Sequence, residues 1–141
     1  MEITAAKLAA IAAGAGTIVM RHYRAGARGR IKEDRSPVTD ADEEAEAFIL
    51  EALAREFPGL PVAAEEASAA GQSCEPCAHF FLVDPLDGTR EFLKANGEFT
   101  VNIAEVKDGI AVAGAVYAPA KDRMFFGDAS GAFEAAQNPD A

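Results

Sequence analysis

The chain carries Glu65-Glu66 and, nineteen positions after Glu65, the run Asp84-Pro85-Leu86-Asp87-Gly88-Thr89. Two aspartates three apart, on a segment stiffened by Pro85 and made permissive by Gly88, can turn two carboxylates and a backbone carbonyl toward one point. Such a cluster of oxygens suits a hard divalent cation, Mg²⁺ above all. An ordinary turn accounts for the same residues, with Asp87-Gly88 as the bend and Asp84 as the cap of a helix entered through Thr89. The spacing alone leaves both readings open. A second group, Cys74-Glu-Pro-Cys77 with His79 just beyond, invites a zinc or redox reading. No further Cys/His pair exists to complete a tetrahedral site, so this segment reads as a loop. Two cysteines this close do not make a disulfide framework, which points to the cytoplasm.

Several elements must position these acids. A helix is expected from Thr4, a plausible N-cap, to about Tyr23, because Leu8, Ile11, Ala15, Ile18, Val19 and His22 recur at helical spacing. Its apolar run from Leu8 to Met20 is too short to span a bilayer, and the residues before it lack the net positive charge of a signal peptide, so no stable membrane insertion is expected. The stretch Arg24 to Gly29 ends the helix, and Lys32 to Asp40 reads as an extended loop. A second helix covers roughly Asp42 to Phe57, with Ala45, Phe48, Ile49, Ala52, Leu53 and Phe57 on one face and Pro58-Gly59 as its stop. Pro61 to Ala64 and His79 to Val83 read as short buried strands that end at Glu65 and Asp84, with a loop from Ala67 to Ala78 between them. Thr89 to Lys94 suits a turn or two of helix. Phe99 to Val106, Ile110 to Pro119, Arg123 to Gly127 and Gly131 to Ala135 then read as strands joined by turns at Lys107-Asp-Gly, Ala120-Lys-Asp and Asp128-Ala-Ser. The fold class is α+β, with two N-terminal helices packed on a mostly antiparallel sheet.

Composition limits the partners. The 141 residues, half of them apolar, can bury one core and favour one domain. Thirteen basic residues against 23 acidic ones give a formal charge of −10, which opposes binding to a nucleic-acid polymer or an anionic membrane. A phosphorylated small molecule would need a cation to offset this field.

The hexapeptide at Asp84, the paired glutamates before it and Ser36-Pro37-Val38-Thr39-Asp40-Ala41-Asp42 resemble, in order, three N-terminal signatures of the inositol monophosphatase superfamily. Arg90-Glu91-Phe92, followed by Gly97-Glu98-Phe99-Thr100-Val101-Asn102-Ile103, is similar to the bacterial 3'(2'),5'-bisphosphate nucleotidase branch, whereas inositol-cleaving members usually carry Asn before that Phe. Val116-Tyr117-Ala118-Pro119 and Gly131-Ala132-Phe133 also fit, without a chemical role. The resemblance implies the N-terminal part of an αβαβα sandwich and two or three Mg²⁺ ions, with inhibition by lithium. It implies that Glu65, Asp84 and the Leu86 carbonyl hold a first ion and that Asp84 and Asp87 share a second. It further implies that Thr89 with Glu65 orients the attacking water, that Asp42 holds a further ion or its water shell, and that the Gly88 and Thr89 amides face the phosphate. Lys32 and Arg90 are the nearby cations.

The implied reaction is hydrolysis of adenosine 3',5'-bisphosphate, or its 2',5' isomer, to AMP and phosphate, a step that clears a by-product of sulfate assimilation. Inositol 1-phosphate and fructose 1,6-bisphosphate are the alternative substrates. The likeness runs to Phe133, whereas family members continue into a second α/β domain with a Trp-Asp signature, and this chain has no tryptophan. The sequence therefore reads as a single N-terminal metal-binding domain over residues 1–141 without the C-terminal domain. It would be completed by self-association or a complementing C-terminal half, or would be an inactive remnant that still binds Mg²⁺.

Overall fold

A computed structural model describes residues 2–26, 29–31, 37–64 and 78–136, with the backbone alone at 29–31 and 37–39. Helix α1 spans Ala5–Arg24, and the Thr4 hydroxyl caps it by accepting from the Lys7 amide at 3.3 Å. Two three-residue strands follow, β1 at Gly29–Ile31 and β2 at Pro37–Thr39, paired antiparallel. The sequence reading assigned no strand here, since three-residue strands are too short to establish a period. Helix α2, Asp40–Glu56, starts directly from β2, with Asp40, Asp42 and Glu43 in its first turn, where the helix dipole favours negative charge.

The main sheet has six strands: β3 at Val62–Ala64, β4 at His79–Asp87, β5 at Thr100–Lys107, β6 at Ile110–Ala118, β7 at Arg123–Asp128 and β8 at Gly131–Ala135. They lie in sequence order, with β3 parallel to β4 and every other pair antiparallel. Antiparallel neighbours need only short turns. At Asp108-Gly109 both residues have positive φ, 53° and 81°, the conformation of a two-residue hairpin turn. At the β7–β8 turn the Asp128 carboxylate accepts from the Ser130 amide at 2.8 Å. The parallel β3–β4 pair needs a longer crossover, and that connection holds residues 65–77, outside the described residues.

Both long helices cover one face of this sheet. Leu8, Ala12, Ala15 and Val19 from α1 and Ala45, Ile49 and Leu53 from α2 are buried against Phe81, Val83, Val101, Ile103 and Met124. Small residues let α1 come close to its neighbours. A methyl group at Gly16 would meet the Tyr117 ring at 2.3 Å, and one at Gly14 would meet the Phe48 ring at 2.4 Å. The opposite face alternates outward, as antiparallel strands with one wet face do. On it Leu82, Val112, Val116 and Phe125 are exposed. The expected α+β layering is the observed one, apart from the small β1–β2 hairpin. Among the described residues no helix is long and apolar enough to cross a membrane.

Candidate metal centre

Strand β4 does not stop at Asp84. It continues through Asp84-Pro85-Leu86-Asp87, and its pairing with β5 jumps from Asp84 opposite Asn102 to Asp87 opposite Thr100. Three steps along β4 thus face two along β5, a bulge that accommodates Pro85 and re-aims the following side chains. The sequence reading ended the strand at Val83 and made Asp84 to Thr89 a turn. Proline and two aspartates are poor strand residues, and tertiary pairing with β5 overrides that preference.

Gly88 closes the bulge. Its φ is +92°, and a Cβ there would stand 2.8 Å from the Glu98 carbonyl oxygen, so no side chain fits without moving backbone. The one-turn helix α3, Thr89–Leu93, begins immediately after it and is anchored from below by aromatic contacts. Phe92, Phe99 and Tyr23 form a mutual cluster with ring centroids 4.8 to 5.5 Å apart. The end of α1, the start of β5 and α3 therefore meet behind the Asp84–Thr89 segment.

Asp42 and Thr89, distant in sequence, are brought together. The Thr89 hydroxyl lies 3.2 Å from Asp42 Oδ1 and 3.2 Å from the Leu86 carbonyl oxygen. One hydroxyl carries one proton, so a Thr89 that donates to Asp42 leaves the Leu86 carbonyl lone pairs for another partner. Asp42 is buried, with 2% of its surface exposed. Asp42, to which the family resemblance gives a further ion or its water shell, has the Thr89 hydroxyl among its neighbours. Asp84 is half-buried and Asp87 is exposed, on the two sides of the bulge.

Glu65, Glu66 and Lys32 fall outside the described residues, as do Cys74 and Cys77. Among the described residues no three His, Cys, Asp or Glu side chains converge as a metal cluster. What the described segment does contribute is an all-oxygen donor set: the carboxylates of Asp84 and Asp87 and the Leu86 carbonyl. That chemistry fits Mg²⁺, which takes few carboxylates and keeps several waters, and does not fit a thiolate- or imidazole-seeking ion. His79 is engaged elsewhere, its Nε2 lying 2.7 Å from the buried Glu105 carboxylate.

Two residues near this segment, named from the sequence only within a strand motif and a turn and given no role there, make contacts at it. Asn102 Nδ2 donates to Asp87 Oδ2 at 3.2 Å. The signal available was an Asn between Val101 and Ile103, an unfavourable residue in mid-strand. Lys121 lines a small cleft with Asp87, Gly88, Glu98 and Thr100, and it pairs with Glu98. Arg90, a cation named from the sequence, is exposed.

A six-stranded, mostly antiparallel sheet with two helices on one face is shared with solved structures of a known class, and the sequence match agrees. Residues 1–137 match the model of the inositol monophosphatase family, and the chain belongs to that family. It is 45% identical over 119 residues to the 3'(2'),5'-bisphosphate nucleotidase CysQ of Salmonella typhimurium, covering 82% of this chain and 48% of that protein. Among solved structures, the extragenic suppressor protein SuhB of Bartonella henselae is similar with a TM-score of 0.78 and 32% identity, over 91% of this chain and 50% of that one. CysQ from Bacteroides thetaiotaomicron is similar with a TM-score of 0.72 and 34% identity, over 94% and 48%. The chain spans about half the length of the curated relatives it matches.

Proposed function

We propose that this chain is the N-terminal, metal-holding half of a magnesium-dependent phosphomonoesterase acting on adenosine 3',5'-bisphosphate or its 2',5' isomer. The observation that carries the reading is the contact of Thr89 with both Asp42 and the Leu86 carbonyl, beside Asp84 and Asp87. The nucleotide is preferred to inositol 1-phosphate and fructose 1,6-bisphosphate because the nucleotidases named CysQ are the curated relatives at 45% and 39% identity.

In this reading Asp84, Asp87, the Leu86 carbonyl and Glu65 hold two or three Mg²⁺ ions. When bound, the ions make water nucleophilic near neutral pH and neutralise charge on the leaving oxygen. The chain's own residues supply orientation. Thr89, with its proton directed to Asp42, turns its Oγ1 lone pairs outward as an acceptor for the attacking water. Burial of Asp42 keeps that carboxylate on Thr89 and away from solvent. The rigid Gly88 turn sets the Gly88 and Thr89 amides toward the phosphate, and Glu65 joins Thr89 in orienting the water. The remaining contacts to the substrate come from a C-terminal half or a second copy of the chain, and the cytoplasm is the location the cysteine usage favours.

The test is phosphate release from adenosine 3',5'-bisphosphate, inositol 1-phosphate and fructose 1,6-bisphosphate, each with Mg²⁺ and with EDTA, and with added lithium. Magnesium-dependent, lithium-sensitive release from the nucleotide is the expected result. Release from inositol 1-phosphate in preference to the nucleotide would refute the branch. Release undiminished by EDTA would refute the metal chemistry.

A further inference from the structure

Asn102 occupies an unusual place in the sheet. It sits opposite Asp84 in the β4–β5 register, yet its amide donates across the bulge to Asp87 Oδ2 at 3.2 Å. On its other side the register places Val116, so the polar neighbours of its row lie toward the acids. Asparagine is among the weaker strand formers, and Val101 and Ile103 on either side are buried in the core. Its Oδ1 is also buried, with no hydrogen bond among the described residues. A buried acceptor left unmatched costs stability, so sheet formation gives no reason for asparagine at this position. Asp87, by contrast, is an exposed carboxylate at the far end of the bulge.

We propose that Asn102 is a positioning residue for the metal centre, fixing the Asp87 carboxylate from the neighbouring strand so that it faces the same point as Asp84. This rests on the reading of Asp84 and Asp87 as Mg²⁺ ligands and adds a residue to it. A partner that orients a ligating carboxylate characteristically changes ion affinity without touching the ion. The amide suits the role better than a lysine would: it donates one directed hydrogen bond and adds no charge to compete with the cation.

The experiment measures Mg²⁺ affinity calorimetrically, and thermal stability in EDTA, for the wild type, Asn102→Ala, Asn102→Thr, Asp87→Asn and the double variant Asn102→Ala/Asp87→Asn. Threonine suits a strand and keeps the sheet, while its hydroxyl is one bond shorter than the asparagine amide. Both Asn102 variants are expected to weaken Mg²⁺ binding by about tenfold or more. In the Asp87→Asn background the Asn102→Ala change is expected to add little, because the two act as one unit. Unchanged affinity in Asn102→Ala and Asn102→Thr, whatever their melting temperatures, would overturn the role of Asn102 and leave the metal site standing. Equal weakening with and without Asp87 would also overturn it. A wild type that takes up no Mg²⁺ would overturn the metal site and the inference with it.

Discussion

Replacing Gly88 by alanine tests whether the bulge that ends β4 is held as the structure has it. Two costs add. An L side chain at a φ of +92° is strained, by about 1–2 kcal/mol for left-handed backbone. The new Cβ would also stand 2.8 Å from the Glu98 carbonyl oxygen and 3.4 Å from Phe99 Cα, both backbone atoms that cannot rotate away. Overpacking of this kind costs about 1–3 kcal/mol, so the total is about 2–5 kcal/mol. For a chain of this size each kcal/mol lowers the melting temperature by about 3 °C, giving a fall of about 6–15 °C. Circular dichroism melts in EDTA isolate this backbone effect from any ion. A Gly88→Ala protein that melts within a degree of wild type would refute both the left-handed turn and the close approach of the Glu98 carbonyl.

Asp84→Asn should abolish magnesium-dependent phosphate release in any active form, because the proposed function makes this carboxylate a ligand of the ions; unchanged release would exclude Asp84 from the site. Phe92→Ala should destabilise by about 3–5 kcal/mol, read from denaturant unfolding, since its ring packs against Tyr23 and Phe99. A cost below 1 kcal/mol would mean that α3 is not anchored by this cluster. The Asp128 carboxyl is held below its usual range chiefly by the Ala5 amide, then by the Ser130 hydroxyl and amide. A depressed carboxyl stabilises the fold above its unfolded pKa, and that contribution is lost as pH falls below the ordinary aspartate value toward the depressed one. The melting temperatures of wild type and Asp128→Asn should therefore differ at neutral pH and converge in acid. A gap that persists or widens there would contradict the sign.

Much of the fold was legible because its periods are strong. The Thr4 cap, the apolar face of α1 and the turns at Asp108-Gly109 and Asp128-Ala-Ser depend on local chemistry that the residues carry themselves. The β1–β2 hairpin was not legible, and neither was the run of β4 through Pro85. Each is decided by pairing with a strand elsewhere, which local preference does not encode. At the site, the type and spacing of Asp84 and Asp87 fit an ordinary turn as well as a metal site, and the family resemblance favours the second, whereas the bond between Thr89 and Asp42 spans 47 positions and exists only once α2 meets the bulge. Asn102 was hidden by its own alternation, because a polar residue between two buried ones is also what a half-exposed strand contains.

The most direct test of the account is a calorimetric titration of the chain with Mg²⁺, beside Asp84→Asn under the same conditions. Saturable uptake by the wild type, lost in the variant while its EDTA melt is preserved, is the predicted result. Equal uptake by both proteins, or none by the wild type, would contradict the assignment of the Asp84–Thr89 bulge as the metal centre.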